Sequence, residues 1–155
     1  MRKRFLSTVL VLIMLLSLAP MSALADDTFR SGDFTFVIET GVACVKKYNG
    51  SSSSVSVPSK VDYDGVTYKV RNIHQDAFKN CTTIQKLVLP ETVNRIGKQA
   101  FANCTSLNSI TINGDLNGVY TVDNTFYNIG ANSDYLNVTF GPEVTAIPVS
   151  YTHLT

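Results

Sequence analysis

The sequence predicts an α/β solenoid that is mostly β, with a short parallel sheet and a β-rich N-terminal cap. Three observations predict it. Apolar residues recur at one fixed offset of 23 positions, each repeat contains a segment with the two-residue period of a strand, and short strand-and-turn patterns precede the first repeat.

Residues 1–25 stand apart from that fold. Met1-Arg2-Lys3-Arg4 is a positive start, the run from Phe5 to Ala19 is almost wholly apolar, and Ala23-Leu24-Ala25 is a small-residue cleavage signature. This order reads as a secretory signal peptide cut after Ala25, because the apolar run is short for a span of ~20 residues. Beyond it lie ten basic and twelve acidic residues, a net charge of −2. So mild a balance does not steer a chain towards nucleic acid or anionic lipid. No membrane span is expected after cleavage.

Residues 26–54 read as the cap. Phe34-Thr35-Phe36-Val37-Ile38 is rich in strand formers, and Glu39-Thr40-Gly41 turns the chain into a second strand over 42–48. Asn49-Gly50 is a hairpin signal, since both residues tolerate positive φ. Val55-Ser56-Val57 alternates and stops at Pro58, and Asp64-Gly65 predicts a further turn between Val61 and Val66-Thr67-Tyr68.

The repeats are expected over residues 55–148, as about three to four rungs, incomplete at the C-terminal side. Val70, Ile73, Ala77, Phe78, Asn80, Cys81, Thr82, Ile84, Leu87 and Leu89 each have a partner 23 residues on, and seven of the ten pairs are identical. A period near 23 lies in the leucine-rich-repeat range. Within a rung, Leu87 and Leu89 share one face of a strand that Pro90 ends. Val93 and Ile96 form a second apolar contact, Gly97 lets the chain bend, and Ala100-Phe101 fills the return side. One rung cannot bury these residues alone, whereas stacked rungs make a continuous core. A third rung follows with altered spacing. Phe126 takes the place of Phe101, 25 residues on, Val138 and Phe140 match Leu87 and Leu89, and Val144 and Ile147 match Val93 and Ile96. At the other end Val55 and Val57-Pro58 resemble Leu87 and Leu89-Pro90, with the turn near Asp64 as an insertion.

The phrases Ala77-Phe78-Lys79-Asn80-Cys81-Thr82-Thr83-Ile84 and Ala100-Phe101-Ala102-Asn103-Cys104-Thr105-Ser106-Leu107, joined by Val93-Asn94-Arg95-Ile96-Gly97, resemble BspA-like leucine-rich repeats. The chain departs from the pattern at His74, where Gly97 stands one rung later, and in the lengthened third rung. The resemblance implies a secreted or surface protein of a bacterium, an adhesive role, and no catalytic residues.

Several motifs read as structure. Cys81 and Cys104 occupy equivalent rungs about one strand spacing, ~4.8 Å, apart. They read as a ladder of small buried thiols, although that spacing also permits a disulfide. Asp62-x-Asp64-Gly65 lacks the later ligands of a calcium loop and reads as a turn. His74 has no nucleophile elbow or zinc pattern beside it and reads as an exposed or capping histidine. Asn49, Asn80, Asn103 and Asn137 fit the glycosylation acceptor pattern, but the repeat asparagines read as bonding backbone groups at a corner. No catalytic, cofactor or metal site is expected.

The leading functional expectation is a binding module. Strand residues that alternate with the core ones must face solvent: Ser54, Ser56, Lys86, Val88, Ser109, Thr111, Asn137 and Thr139. Mostly small and polar, they suit a wide hydrogen-bonding contact with a protein or glycan ligand on a host or neighbouring cell surface. The alternative is a spacer or targeting arm of a larger secreted enzyme. Solenoids need a cap at each end, so the chain from residue 26 onward is expected to be marginal or self-associating alone. Residues 149–155, VSYTHLT, fit no repeat position. They read either as a divergent strand or as a translated transposase adapter from library preparation.

Overall fold

The structure is a computed structural model that describes residues 28–116, 125–142 and 144. Residues 1–25, read above as a leader, Ile147 and residues 149–155 lie outside the described residues.

The described residues are mostly β, with ten strands in two sheets among them. β1 (Thr28–Ser31), β2 (Phe34–Glu39) and β3 (Val42–Tyr48) form an antiparallel meander. The β2–β3 turn carries positive φ at Thr40 and Gly41, as the Glu39-Thr40-Gly41 signal implies. β5 (Lys60–Tyr63) and β6 (Val66–Ile73) form a second hairpin, with Asp64 and Gly65 at positive φ. β3 then pairs in parallel with β6, and β6 with β8 (Arg95–Ile96), giving the order β1-β2-β3-β6-β5 with β8 off that path. This sheet curls until its edge strands approach: Phe29 of β1 stacks on Tyr63 of β5 with ring centroids 4.1 Å apart.

The other sheet is parallel throughout, in the order β10-β9-β7-β4. Its strands are β4 (Ser54–Ser56), β7 (Lys86–Leu89), β9 (Ser109–Ile112) and β10 (Asn137–Phe140). Leu87 pairs with Ile110 and Leu89 with Ile112, so the 23-residue offset moves the chain by one strand. The core lies between the two sheets and the return segments, and includes Phe36, Val45, Ile73, Phe78, Leu87, Ile96, Phe101 and Ile110.

The return segments correct the helical part of the expected α/β class: among the described residues there is no helix. Asp76, Asn80, Gln99 and Asn103 all have positive φ, between 53° and 63°. A left-handed residue every fourth position cannot belong to a right-handed helix. The return side is instead a ladder between repeats. Phe78 N–H donates to the Ala100 carbonyl at 2.8 Å and Asn80 N–H to that of Ala102 at 2.9 Å, and Asn103 N–H donates to Tyr127 at 2.9 Å.

Asn49-Gly50 is also corrected. It makes no hairpin, because β3 pairs with β2 and β6 while β4 belongs to the other sheet. Asn49 instead ties the corner to the cap: its N–H donates to the Asp33 carbonyl at 2.7 Å and its Nδ2 to Thr35 Oγ1 at 2.9 Å. The repeat asparagines differ from expectation too. Their side chains bond each other, Asn103 Nδ2 to Asn80 Oδ1 at 2.9 Å and Asn128 Nδ2 to Asn103 Oδ1 at 3.1 Å. At positive φ each carboxamide stands along the stacking direction, where its neighbour one repeat away supplies the partner.

Candidate functional site: the open face of the parallel sheet

Strand alternation and register together build this face. Val55, Leu87, Leu89, Ile110 and Ile112 turn into the core, so the residues between them turn out. The pairing places Ser54, Lys86, Ser109 and Asn137 side by side in one row across the sheet, and Ser56, Val88, Thr111 and Thr139 in a second. All eight sequence-selected residues therefore share one surface. Ser54, Ser56, Lys86, Asn137 and Thr139 are exposed, whereas Val88, Ser109 and Thr111, short side chains on strands flanked on both sides, are half-buried. The face offers hydroxyls, one amide, one ammonium and one isopropyl group.

A third row extends the surface and was not read from the sequence. Gln85 N–H donates to the Ser53 carbonyl at 2.8 Å, Asn108 N–H to that of Gln85 at 2.9 Å, and Asn137 N–H to that of Asn108 at 2.9 Å. Gln85 is exposed and Asn108 half-buried beside the first row. The signal for them was the position immediately before each strand, where backbone pairing has already begun. Tyr135 was missed as well. Register places it level with Leu107 and Ile84, both buried, yet it is 67% exposed. Leu136, one position on, packs against the core instead. Val138 and Phe140 pair in register with Ile110 and Ile112 as expected, but are 40% and 39% exposed because no described strand lies beyond β10.

The corner behind this face holds the cysteines. All three are free thiols; Cys44 and Cys104 are buried and Cys81 half-buried. Cys104 Sγ donates to the Phe78 carbonyl at 3.1 Å. Burial first, then the neighbouring Cys81 thiol, pushes the Cys104 pKa up to about 12, and burial also raises that of Cys81. Neither thiol is activated for nucleophilic chemistry. His74 is half-buried with Nδ1 3.2 Å from the Gln75 carbonyl.

Residues 48–150 match the BspA type leucine rich repeat region, in six copies. Among solved structures the chain is similar to a leucine rich cell surface protein of Faecalibacterium prausnitzii. There the TM-score is 0.55 at 24% identity, over 75% of this chain and 30% of that one. It is also similar to a leucine-rich repeat protein of Bacteroides capillosus, with a TM-score of 0.54 at 27% identity, over 73% of this chain and 97% of that one. A leucine-rich repeat protein of Bacteroides ovatus matches with a TM-score of 0.50 at 31% identity, over 57% of this chain and 24% of that one. The chain thus spans under a third of the length of the Faecalibacterium protein. No curated protein matches.

Proposed function

The chain belongs to the BspA-type leucine-rich-repeat family, and from that premise we propose that it is a binding module of a secreted or cell-surface protein rather than an enzyme. The repeats stack as a solenoid whose parallel sheet is the contact surface for a protein or glycan on another cell. The observation that carries this reading is the outward pair of rows, Ser54-Lys86-Ser109-Asn137 and Ser56-Val88-Thr111-Thr139. Their side chains are held at strand spacing by pairing beneath them, so little ordering entropy opposes contact. The amide and hydroxyl content suits a broad hydrogen-bonded interface, with Lys86 and Val88 as the charged and apolar contacts. The surface location draws on the described role of the Faecalibacterium relative as a cell surface protein.

The test substitutes Lys86, Val88 and Thr111 together by alanine in the full chain and measures adhesion to host proteins and to neighbouring cells. Adhesion should fall at unchanged thermal stability. Unchanged adhesion removes this face as the site.

A further inference from the structure

The six-stranded sheet has its own outward face, chemically unlike the first. Val61 of β5 and Val70 of β6 point into the core, so Lys60 and Lys69 point out, and both are exposed. The β5–β6 register sets Lys60 directly opposite Lys69. Directly opposed like charges on antiparallel strands, with Cβ atoms about 4.5–5.5 Å apart, oppose pairing. The nearest carboxylate on that hairpin, Asp62, accepts a hydrogen bond from the Thr67 hydroxyl. Arg71 follows Lys69 by two residues. Between the core residues Val70 and Ile73 it is half-buried, as is Asn72, at the irregularity in the β3–β6 register. Asn72 pairs with Arg95 of β8, which is exposed. Cations therefore run in a band across β5, β6 and β8, although the chain beyond the expected leader carries a net charge of −2.

We propose that this band, Lys60, Lys69, Arg71 and Arg95, binds an extended acidic glycan carrying sulfate or uronate groups. Charge complementarity argues for the occupant: anions spaced along a chain relieve the Lys60–Lys69 repulsion and continue onto the arginines, whose planar forks suit sulfate and carboxylate. The aromatic rings of the same hairpin, Tyr63 and Tyr68, are half-buried, one stacked on Phe29 and the other packed against the core. They offer no platform for nucleic-acid bases. One exposed valine at the hairpin tip, Val66, is too little apolar surface for an interfacial lipid anchor.

The experiment measures binding of the full chain to heparin, and to phosphatidylglycerol vesicles, in ~0.15 M salt where isolated surface charges are screened beyond about 8 Å. Wild type should bind heparin and not the vesicles. The Lys60→Gln, Lys69→Gln, Arg71→Gln triple variant should bind roughly tenfold more weakly, three charge contacts being lost. Lys60→Arg with Lys69→Arg should retain binding, and Lys86→Gln, on the other sheet, should match wild type. Heparin should also raise the thermal midpoint of wild type and not of the triple variant, which separates lost binding from lost folding. Binding to vesicles without heparin, no wild-type binding, or equal affinity of the triple variant overturns the proposal. Because Lys86 lies outside the band, failure here leaves the adhesive reading of the parallel sheet to be judged by its own test.

Discussion

The ring of Tyr48 lies 5.6 Å from that of Phe78 at an interplanar angle of 20°, the spacing that Phe78, Phe101 and Phe126 keep among themselves at 5.4 and 5.5 Å. Tyr48 is thus the first member of an aromatic ladder that runs through Phe78 and Phe101 to Phe126 along the return side of the described repeats. It sits 30 residues before Phe78, the β5–β6 hairpin having lengthened that first turn. Tyr48 differs from its successors in its hydroxyl, which accepts the Ser52 N–H at 3.2 Å and helps hold the corner leading to β4. Tyr48→Phe should cost about 0.5–1.5 kcal/mol, the usual net worth of one hydrogen bond. Phe101→Ala, at the centre of the ladder, should cost roughly 3–5 kcal/mol. Urea denaturation of the two variants checks the order; equal losses would contradict the ladder.

Asn103 both donates to Asn80 and accepts from Asn128, at a φ of 60°. Replacement by alanine removes both side-chain bonds and places a Cβ residue without local hydrogen bonding in left-handed backbone. Replacement by glycine removes the same bonds but relieves the backbone. Asn103→Ala should therefore be the more destabilising, by about 1 kcal/mol over Asn103→Gly. Chemical denaturation of the pair measures the difference directly, and a reversed order would refute the backbone argument.

Gly97 does not have positive φ, so bending is not why glycine stands there. A Cβ at this position would meet the Gln75 backbone nitrogen, with the His74 carbonyl carbon at 2.8 Å and Gln75 Cα at 2.9 Å. These are backbone atoms that cannot rotate away. Gly97→Ala should cost about 1–3 kcal/mol, the range of overpacking, whereas His74→Ala should cost less because its ring is only half-buried. Thermal unfolding of both variants tests this, with a tolerated Gly97→Ala as the contrary result.

Cys104 should make the fold sensitive to alkali. Its pKa is raised from 9.0 to about 12 by burial and by Cys81. Between those values the unfolded chain releases the thiol proton and the folded chain keeps it. The folded state therefore binds more protons there, and stability falls as pH rises, by at most about 1.4 kcal/mol per pH unit from this group. Below pH 9.0 the contribution is complete. Cys104→Ala should flatten the decline between pH 9 and 11 measured by reversible denaturation. The raised pKas of Cys81 and, at higher pH, of Tyr48, each caused mainly by burial, act in the same direction, so some slope should persist. An unchanged slope in the variant would exclude Cys104 as the source.

The sequence alone determined the repeat and the direction of its side chains. A 23-residue offset with seven identities allows one stacking register, and a strand of period two leaves one choice of inward face. Hence Val55, Leu87 and Ile110 align as the spacing implies, and the eight outward residues fall in two rows. Only the tertiary structure decided what passes between repeats. The Asn80–Asn103–Asn128 chain of amides, the slot taken by Tyr48 and the backbone pressing on Gly97 all join residues 22 to 30 positions apart. Local propensity is silent about such partners: Asn49-Gly50 looks like a hairpin until Asp33 and Thr35 claim it. The cationic band was equally hidden, because net charge sums over the chain while binding feels only the charges that pairing of β5, β6 and β8 brings to one surface.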